Sequence, residues 1–341
     1  MLSRYLHKAV DGQSLTRDEA YEALSAIMEG EATDVEIAGL LVALRMKGES
    51  ADEVAGFAQA MRDHALRVPT RRDDVVDTCG TGGDALDTFN ISTCAAFVAA
   101  GAGVSIAKHG NRAVSSRCGS ADVLQALGVN LDITPEQVGA CIDEIGVGFL
   151  FAPKLHPAMR YAVGPRKELG MRTVFNILGP LTNPAGATRQ VLGVFSLSAA
   201  RLVAGALSAM GTRLALVVHG EDGLDEISTV GATHLLEVRG MQVSERLLTP
   251  EELGLSRASA DDLSGGDPEE SASILRRVLS GEQGPARDIT LVNAAAAIYV
   301  AGRAADLHEG LVLAADSIDQ GKAMAKLQGL VTMTAGMSPD H

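Results

Sequence analysis

Cysteine is scarce in this chain and never paired: Cys79, Cys94, Cys118 and Cys141 form no CxxC. That spacing suggests neither a zinc site nor a disulfide framework, and four reduced small residues in a cytosolic protein is the better reading. No uninterrupted apolar run reaches the length of a membrane span. The stretch from Met1 to Lys8 lacks the apolar core of a signal peptide, so a cytoplasmic location is expected. Net positive charge is absent too: 29 Lys and Arg against 43 Asp and Glu leave −14. A general nucleic-acid or membrane-surface binder is therefore disfavoured. With 46% apolar residues the chain is nonetheless globular, and 341 residues suffice for two domains or one large domain with an appendage.

What is present falls into two patterns. Residues 1–68 read as all-helical. Capping boxes occur at Thr16 with Glu19, Thr33 with Glu36 and Ser50 with Glu53, each pairing a side-chain acceptor with the N3 amide. Gly30 and Gly48 stand where the first two of these helices should end. Ile37, Leu40, Leu41 and Leu44 keep the spacing of one buried face. A small bundle with a packing or dimerisation role is expected. After a polar break at 69–74, short β-branched runs alternate with helical stretches. Strands are expected near 75–77, 104–107, 149–151, 190–195, 214–219 and 235–238. Helices are expected near 92–101, 121–128, 135–145, 199–210, 269–280 and 309–326. The fold class is therefore α/β, a small all-helical domain plus a large α/β domain with a mainly parallel central sheet. Ligands of such sheets bind beyond the carboxyl ends of the strands. Residues 255–270 read as an exposed loop.

The residues that could carry chemistry follow predicted strands. Asp77-Thr78-Cys79-Gly80-Thr81-Gly82-Gly83-Asp84 can bring backbone N–H groups close to a ligand and form a nest for an anion, phosphate above all. No Lys-Ser/Thr follows and no G-x-G-x-x-G occurs, so the alternative is an ordinary strand-to-helix turn. Thr88 and Asn90-Ile91-Ser92-Thr93 open the next helix, either as caps or as a second phosphate subsite. Lys108-His109-Gly110-Asn111-Arg112 and Ser115-Ser116-Arg117-Cys118-Gly119-Ser120 supply the charge, guanidinium forks and hydroxyls that a phosphate ester needs, unless they form only a solvated loop. His109 could be a base, or a neighbour that shapes the loop. Asp225-Glu226 could bind magnesium, which prefers one or two carboxylates plus water and substrate phosphates, or could be surface charge. Glu221 and Asp222 rank below them. Arg166, in the Gly- and Pro-broken run 164–181, could hold a carboxylate bidentately or lie on the surface. From Lys108 to Arg172, eight basic and six acidic residues leave +2, a locally basic middle that suits a small anionic ligand.

In order and approximate spacing, these five motifs resemble anthranilate phosphoribosyltransferases over nearly the whole chain. The resemblance implies a nucleoside phosphorylase-like fold, with a helical domain at 1–68, a contribution from about 164–181, and an α/β domain at 73–341. It implies a homodimer through the helical part, and transfer of ribose 5-phosphate from 5-phosphoribosyl 1-diphosphate to the amine of anthranilate in tryptophan biosynthesis. The lack of tryptophan suits such an enzyme. By the same resemblance the donor would meet Gly80, Gly83, Asp84, Thr88, Asn90, Ile91, Ser92, Thr93, Lys108, His109, Gly110, Asn111, Arg112, Ser115, Ser116 and Ser120. Anthranilate would meet Gly80, Asn111 and Arg166, and Ser92, Asp225 and Glu226 would serve Mg2+. Neither nucleic acid nor membrane is an expected partner.

An arylamine is already neutral at pH 7 and needs positioning more than deprotonation. Holding it in line with the ribosyl carbon can remove about 7–11 kcal/mol of barrier. The lack of an obvious nucleophile–base pair favours that mechanism, and no covalent intermediate is expected. Two alternatives remain: a pyrimidine nucleoside phosphorylase, which needs no paired carboxylates for diphosphate-bound magnesium, and a catalytically silent nucleic-acid binder, which the charge disfavours.

Overall fold

All three expected capping boxes form: Thr16, Thr33 and Ser50 each accept the amide of the glutamate three residues on, which reaches back to the cap. The computed structural model describes residues 2–83, 86–113 and 117–338. Its first four helices are Ser3–Val10, Arg17–Met28, Asp34–Lys47 and Ala51–Asp63. The second and third stop where Gly30 and Gly48 take φ of 75° and 86°, as expected.

Seven strands follow: β1 (Val76–Gly80), β2 (Ile106–Gly110), β3 (Val147–Phe151), β4 (Arg189–Gly193), β5 (Leu214–Gly220), β6 (Thr233–Arg239) and β7 (Gln242–Leu248). They form one sheet in the order β3-β2-β1-β4-β5-β6-β7, parallel through β5 and antiparallel beyond. The mainly parallel sheet is as expected, and β7 is an addition. Its residues are nearly all exposed at the sheet edge, so they carry no apolar pattern to announce a strand. The helix expected at 309–326 is two, Leu307–Asp319 and Lys322–Ala335, because Gly321 between them is left-handed. Pro285–Val300 is a further helix, buried almost all round, so it lacks the one-sided stripe that periodicity detects.

Apart from the β7 edge, the sheet is buried on both faces. Leu214, Leu216 and Val218 of β5 enter one core with the helices Ile91–Gly101 and Pro285–Val300. Ala215 and Val217 enter the other, which also holds the four-helix segment, the helix Leu197–Ala209 and the stretch Val174–Leu181. The bundle's apolar core thus runs on beneath the sheet.

The strand pairings differ in length near the centre. β1 and β4 pair over five residues, Val76 to Gly80, whereas β1 and β2 pair only at Val76 and Ile106. Beyond that pair β1 and β2 form no further ladder pair.

Candidate active site

The loop after β1 and the carboxylates after β5 meet because two glycines leave room. A Cβ at Gly193 of β4 would overlap the Asp225 carbonyl, and one at Gly80 would overlap its carboxylate. Asp225 thereby reaches the Gly82 amide, which donates to Oδ2 at 2.8 Å. Glu226 lies beside the next helix, where the Ser92 amide donates to its Oε1 at 3.0 Å. Asn293 fixes the chain just beyond, accepting from the Ile227 amide at 2.9 Å and donating to its carbonyl at 3.0 Å. Gly80, Gly82, Ser92, Asp225 and Glu226 are therefore one place in space. Burial, then the charge of Asp225, push the Glu226 carboxyl up to about 8.

Lys108 lies against the same group. Its ammonium donates to the Thr78 carbonyl and, at 3.1 Å, to Ser92 Oγ. Burial pushes its proton affinity down, while Asp77, Cys79, Glu226 and Asp225 oppose that shift. Two carboxylates and a hydroxyl, with Lys108 beside them, form an oxygen-rich donor set suited to Mg2+, which keeps several waters and shares phosphate oxygens. Among the described residues, no cluster of three or more His, Cys, Asp or Glu side chains forms a closed metal cage.

Asn90 stands at the N-cap of Ile91–Gly101 but does not cap it; its amide donates to the Cys118 carbonyl at 3.1 Å, and Oδ1 is buried without a partner. Thr93 Oγ1 is likewise buried and unpartnered, whereas Ile91 belongs to the apolar core. Thr88 bridges to Ser264 and borders a cavity of about 210 Å³ walled by Leu86, Leu224, Val230 and Leu263. Those apolar walls suit no phosphate. Gly83 is left-handed at φ 78°, and its carbonyl accepts from Arg172, whose guanidinium lies 4.2 Å over the Phe195 ring.

The loop after β2 is tied by Asp122, which sequence reasoning passed over. It accepts the amides of Ala113 and Gly119 at 3.0 Å each and pairs with Arg112 at 2.8 Å. Asn111 caps the adjacent Arg112 amide at 2.7 Å, and Ser120 Oγ donates to its carbonyl at 3.2 Å. Gly110 is pressed against Ser120 Oγ and the Phe149 ring. Arg112 is thus paired with Asp122 through Nη1, its side chain half exposed. Asp84, Ser115 and Ser116 lie outside the described residues.

His109 is buried beside His156, with ring centroids 5.1 Å apart. Its Nδ1 faces the Gly179 carbonyl at 3.1 Å, and Nε2 is buried without a partner. Burial first, then His156, push the imidazole down to about 3. Such a ring is a weak base but a ready hydrogen-bond acceptor. Arg166 is half-buried with its guanidinium 5.0 Å over the Phe175 ring, and no carboxylate among the described residues pairs with it. Asp222 turns instead to Ser228 Oγ at 2.5 Å, and Glu221 is exposed.

The chain matches two family models, described as the helical bundle domain of a glycosyl transferase family over residues 3–65 and its a/b domain over 72–324. It is similar to the anthranilate phosphoribosyltransferase of Desulforudis audaxviator, 55% identical over 98% of this chain and 96% of that one. Among solved structures it is similar to the Thermus thermophilus enzyme of that name, with a TM-score of 0.92 and 49% identity over 97% and 99% of the two chains. The Saccharomyces cerevisiae enzyme, solved in complex with PRPP and Mg, aligns with a TM-score of 0.90 and 29% identity over 98% of each chain.

Proposed function

The chain belongs to the anthranilate phosphoribosyltransferase family, and on that premise we propose which of its residues carry the transfer. The protein transfers the 5-phosphoribosyl group from 5-phosphoribosyl 1-diphosphate to the amine of anthranilate, releasing diphosphate, in tryptophan biosynthesis and with Mg2+. The observation that carries the residue assignment is the meeting of Gly82, Ser92, Lys108, Asp225 and Glu226 at the carboxyl ends of the central strands.

Gly80, Gly83, Asn90, Ser92, Thr93 and Lys108 bind the donor, with Thr88, His109, Gly110, Asn111 and Ser120 around it and Asp84, Ser115 and Ser116 in the adjoining loops. Ser92, Asp225 and Glu226 hold Mg2+, which when bound offsets the charge that grows on the departing diphosphate. Arg166 takes the anthranilate carboxylate, an unpaired half-buried guanidinium being short of such a partner. Asn111 and Gly80 line the acceptor's path. Neutral His109 presents Nε2 as an acceptor, so it orients an N–H without removing a proton.

The helical part, 1–68 with about 164–181, forms one domain and 73–341 the other, and two copies associate through the helical part. Val10, Val35, Met46 and Val163, 54–82% exposed on the helix Asp34–Lys47 and two helices packed against it, support that face. The cytoplasm is the proposed compartment: all four cysteines are free and buried. No helix of the described residues is long and apolar enough to cross a membrane.

Loss of anthranilate fluorescence on mixing protein, donor and Mg2+ is the test. Consumption that needs all three is expected, and phosphorolysis of thymidine or uridine in its place would replace the assignment. Sedimentation at micromolar concentration tests the dimer, and a single monomer species would reject it.

A further inference from the structure

A parallel ladder that starts at Val76 and Ile106 has a fixed continuation. The next bonds would run from the Thr78 amide to the Ala107 carbonyl and from the His109 amide to the Thr78 carbonyl. Neither strand makes them with the other, because pairing stops after one residue. Three of the groups concerned are bonded to side chains instead. Asn183 Nδ2 donates to the Ala107 carbonyl at 2.8 Å, and the His109 amide donates to Asp77 Oδ1 at 3.0 Å. The Thr78 carbonyl accepts from Lys108 Nζ. Asn183 Nδ2 also donates to Asp77 Oδ2 at 2.7 Å, and its own Oδ1 accepts from the Ala185 amide at 2.9 Å. Asp77 is 0% and Asn183 2% exposed, so the two side chains form a sealed wedge between the strands.

We infer that Asp77 and Asn183 are positioning residues, whose wedge holds the ends of β1 and β2 apart so that the Lys108 ammonium is seated between Thr78 and Ser92. A closed ladder would bring the His109 amide onto the Thr78 carbonyl in competition with the Lys108 ammonium. The wedge also joins distant chain: Asn183 follows the stretch 179–182, and Gly179 in that stretch accepts from His109. Nothing in Asp77 or Asn183 touches a substrate in this scheme. They act through Lys108.

The inference rests on Lys108 meeting the donor, and the test separates the two. Steady-state kinetics with 5-phosphoribosyl 1-diphosphate are measured for Asn183→Ala, Lys108→Met and the double variant. Asp77→Asn, which keeps its volume but faces the two amide donors with an amide of its own, runs through the same cycle should Asn183→Ala not fold. Each wedge variant is expected to raise the donor KM about tenfold alone, and less than about twofold on top of Lys108→Met, since the interaction energy is shared. The same fold-change in both backgrounds, or a lowered melting temperature with an unchanged donor KM, overturns the inference. A Lys108→Met protein with an unchanged donor KM overturns instead the assignment of Lys108 to the donor site.

Discussion

Glu226 is placed where its charge costs stability, and the cost has a definite pH signature. Its carboxyl is raised from 4.5 to about 8, first by burial and then by Asp225. Between those values the folded protein binds a proton that the unfolded chain has lost, so stability falls as pH rises through the window and the full cost stands above pH 8. Each pH unit is worth about 1.4 kcal/mol, which sets a ceiling of about 5 kcal/mol. Glu226 keeps part of its surface open, and water reaching it brings the expected cost to about 1–3 kcal/mol. Glu226→Gln removes the charge yet keeps an acceptor for the Ser92 amide. Without donor or metal, the variant should melt about 1–4 °C higher than its parent at pH 8.5. At pH 5 the gain should nearly vanish, since there the parent carboxyl is already protonated in the folded state. Calorimetric scans at the two pH values decide it. An equal gain at both, or none at pH 8.5, would refute the buried-charge argument.

Arg166→Ala should raise the KM for anthranilate at least about tenfold and that for the donor less than about twofold, because only a carboxylate contact is lost; equal effects in steady-state kinetics would reject its assignment. Gly193→Ala should push the Asp225 carbonyl off β4 and shift the Mg2+ titration of activity to higher concentration by about tenfold, against an unchanged anthranilate KM. An unshifted titration would remove Asp225 from the metal site. Asp122→Ala frees two amides and Arg112, so amides of the loop after β2 should exchange faster with solvent, and the donor should restore little protection. Unchanged exchange would show that Asp122 does not order the loop.

Local devices were legible in the sequence. The capping boxes and the glycines that end helices act over three or four residues, so their geometry is written in adjacent positions. Parallel strands showed as short β-branched runs, and the phosphate-type loop showed as glycine density. What stayed hidden was which distant residues meet. Nothing near Gly193 says that the Asp225 carbonyl lies on it, and nothing near Gly83 names Arg172. Asn183 carried one usable signal, the Asn-Pro pair that marks a turn, but its amide is spent on a strand 106 positions away. Strand β7 was hidden for the opposite reason: an exposed edge needs no apolar pattern. Arg112 read as a phosphate ligand from its loop alone; a basic residue in a loop carries no mark of the carboxylate beside it, and in this structure Asp122 pairs with it.

The costly features of the molecule share a cause. A sheet that closed β1 onto β2 would satisfy its own backbone, and a hydrophobic side chain at 226 would remove a buried charge. Both changes would make a steadier protein. Each would also take away a group that the chemistry uses: the Thr78 carbonyl that seats Lys108, or the carboxylate that faces Ser92. Departures from local rules that gather at this sheet end mark a place where stability has been given up for binding. If that is so, the losses should be recoverable together. Donor and Mg2+ bring phosphate oxygens and positive charge up to Lys108, Asp225 and Glu226, so the ternary complex should melt with a weaker pH dependence above pH 6 than the free protein. Parallel slopes would mean that the buried charges are settled by the fold itself and owe nothing to the ligands.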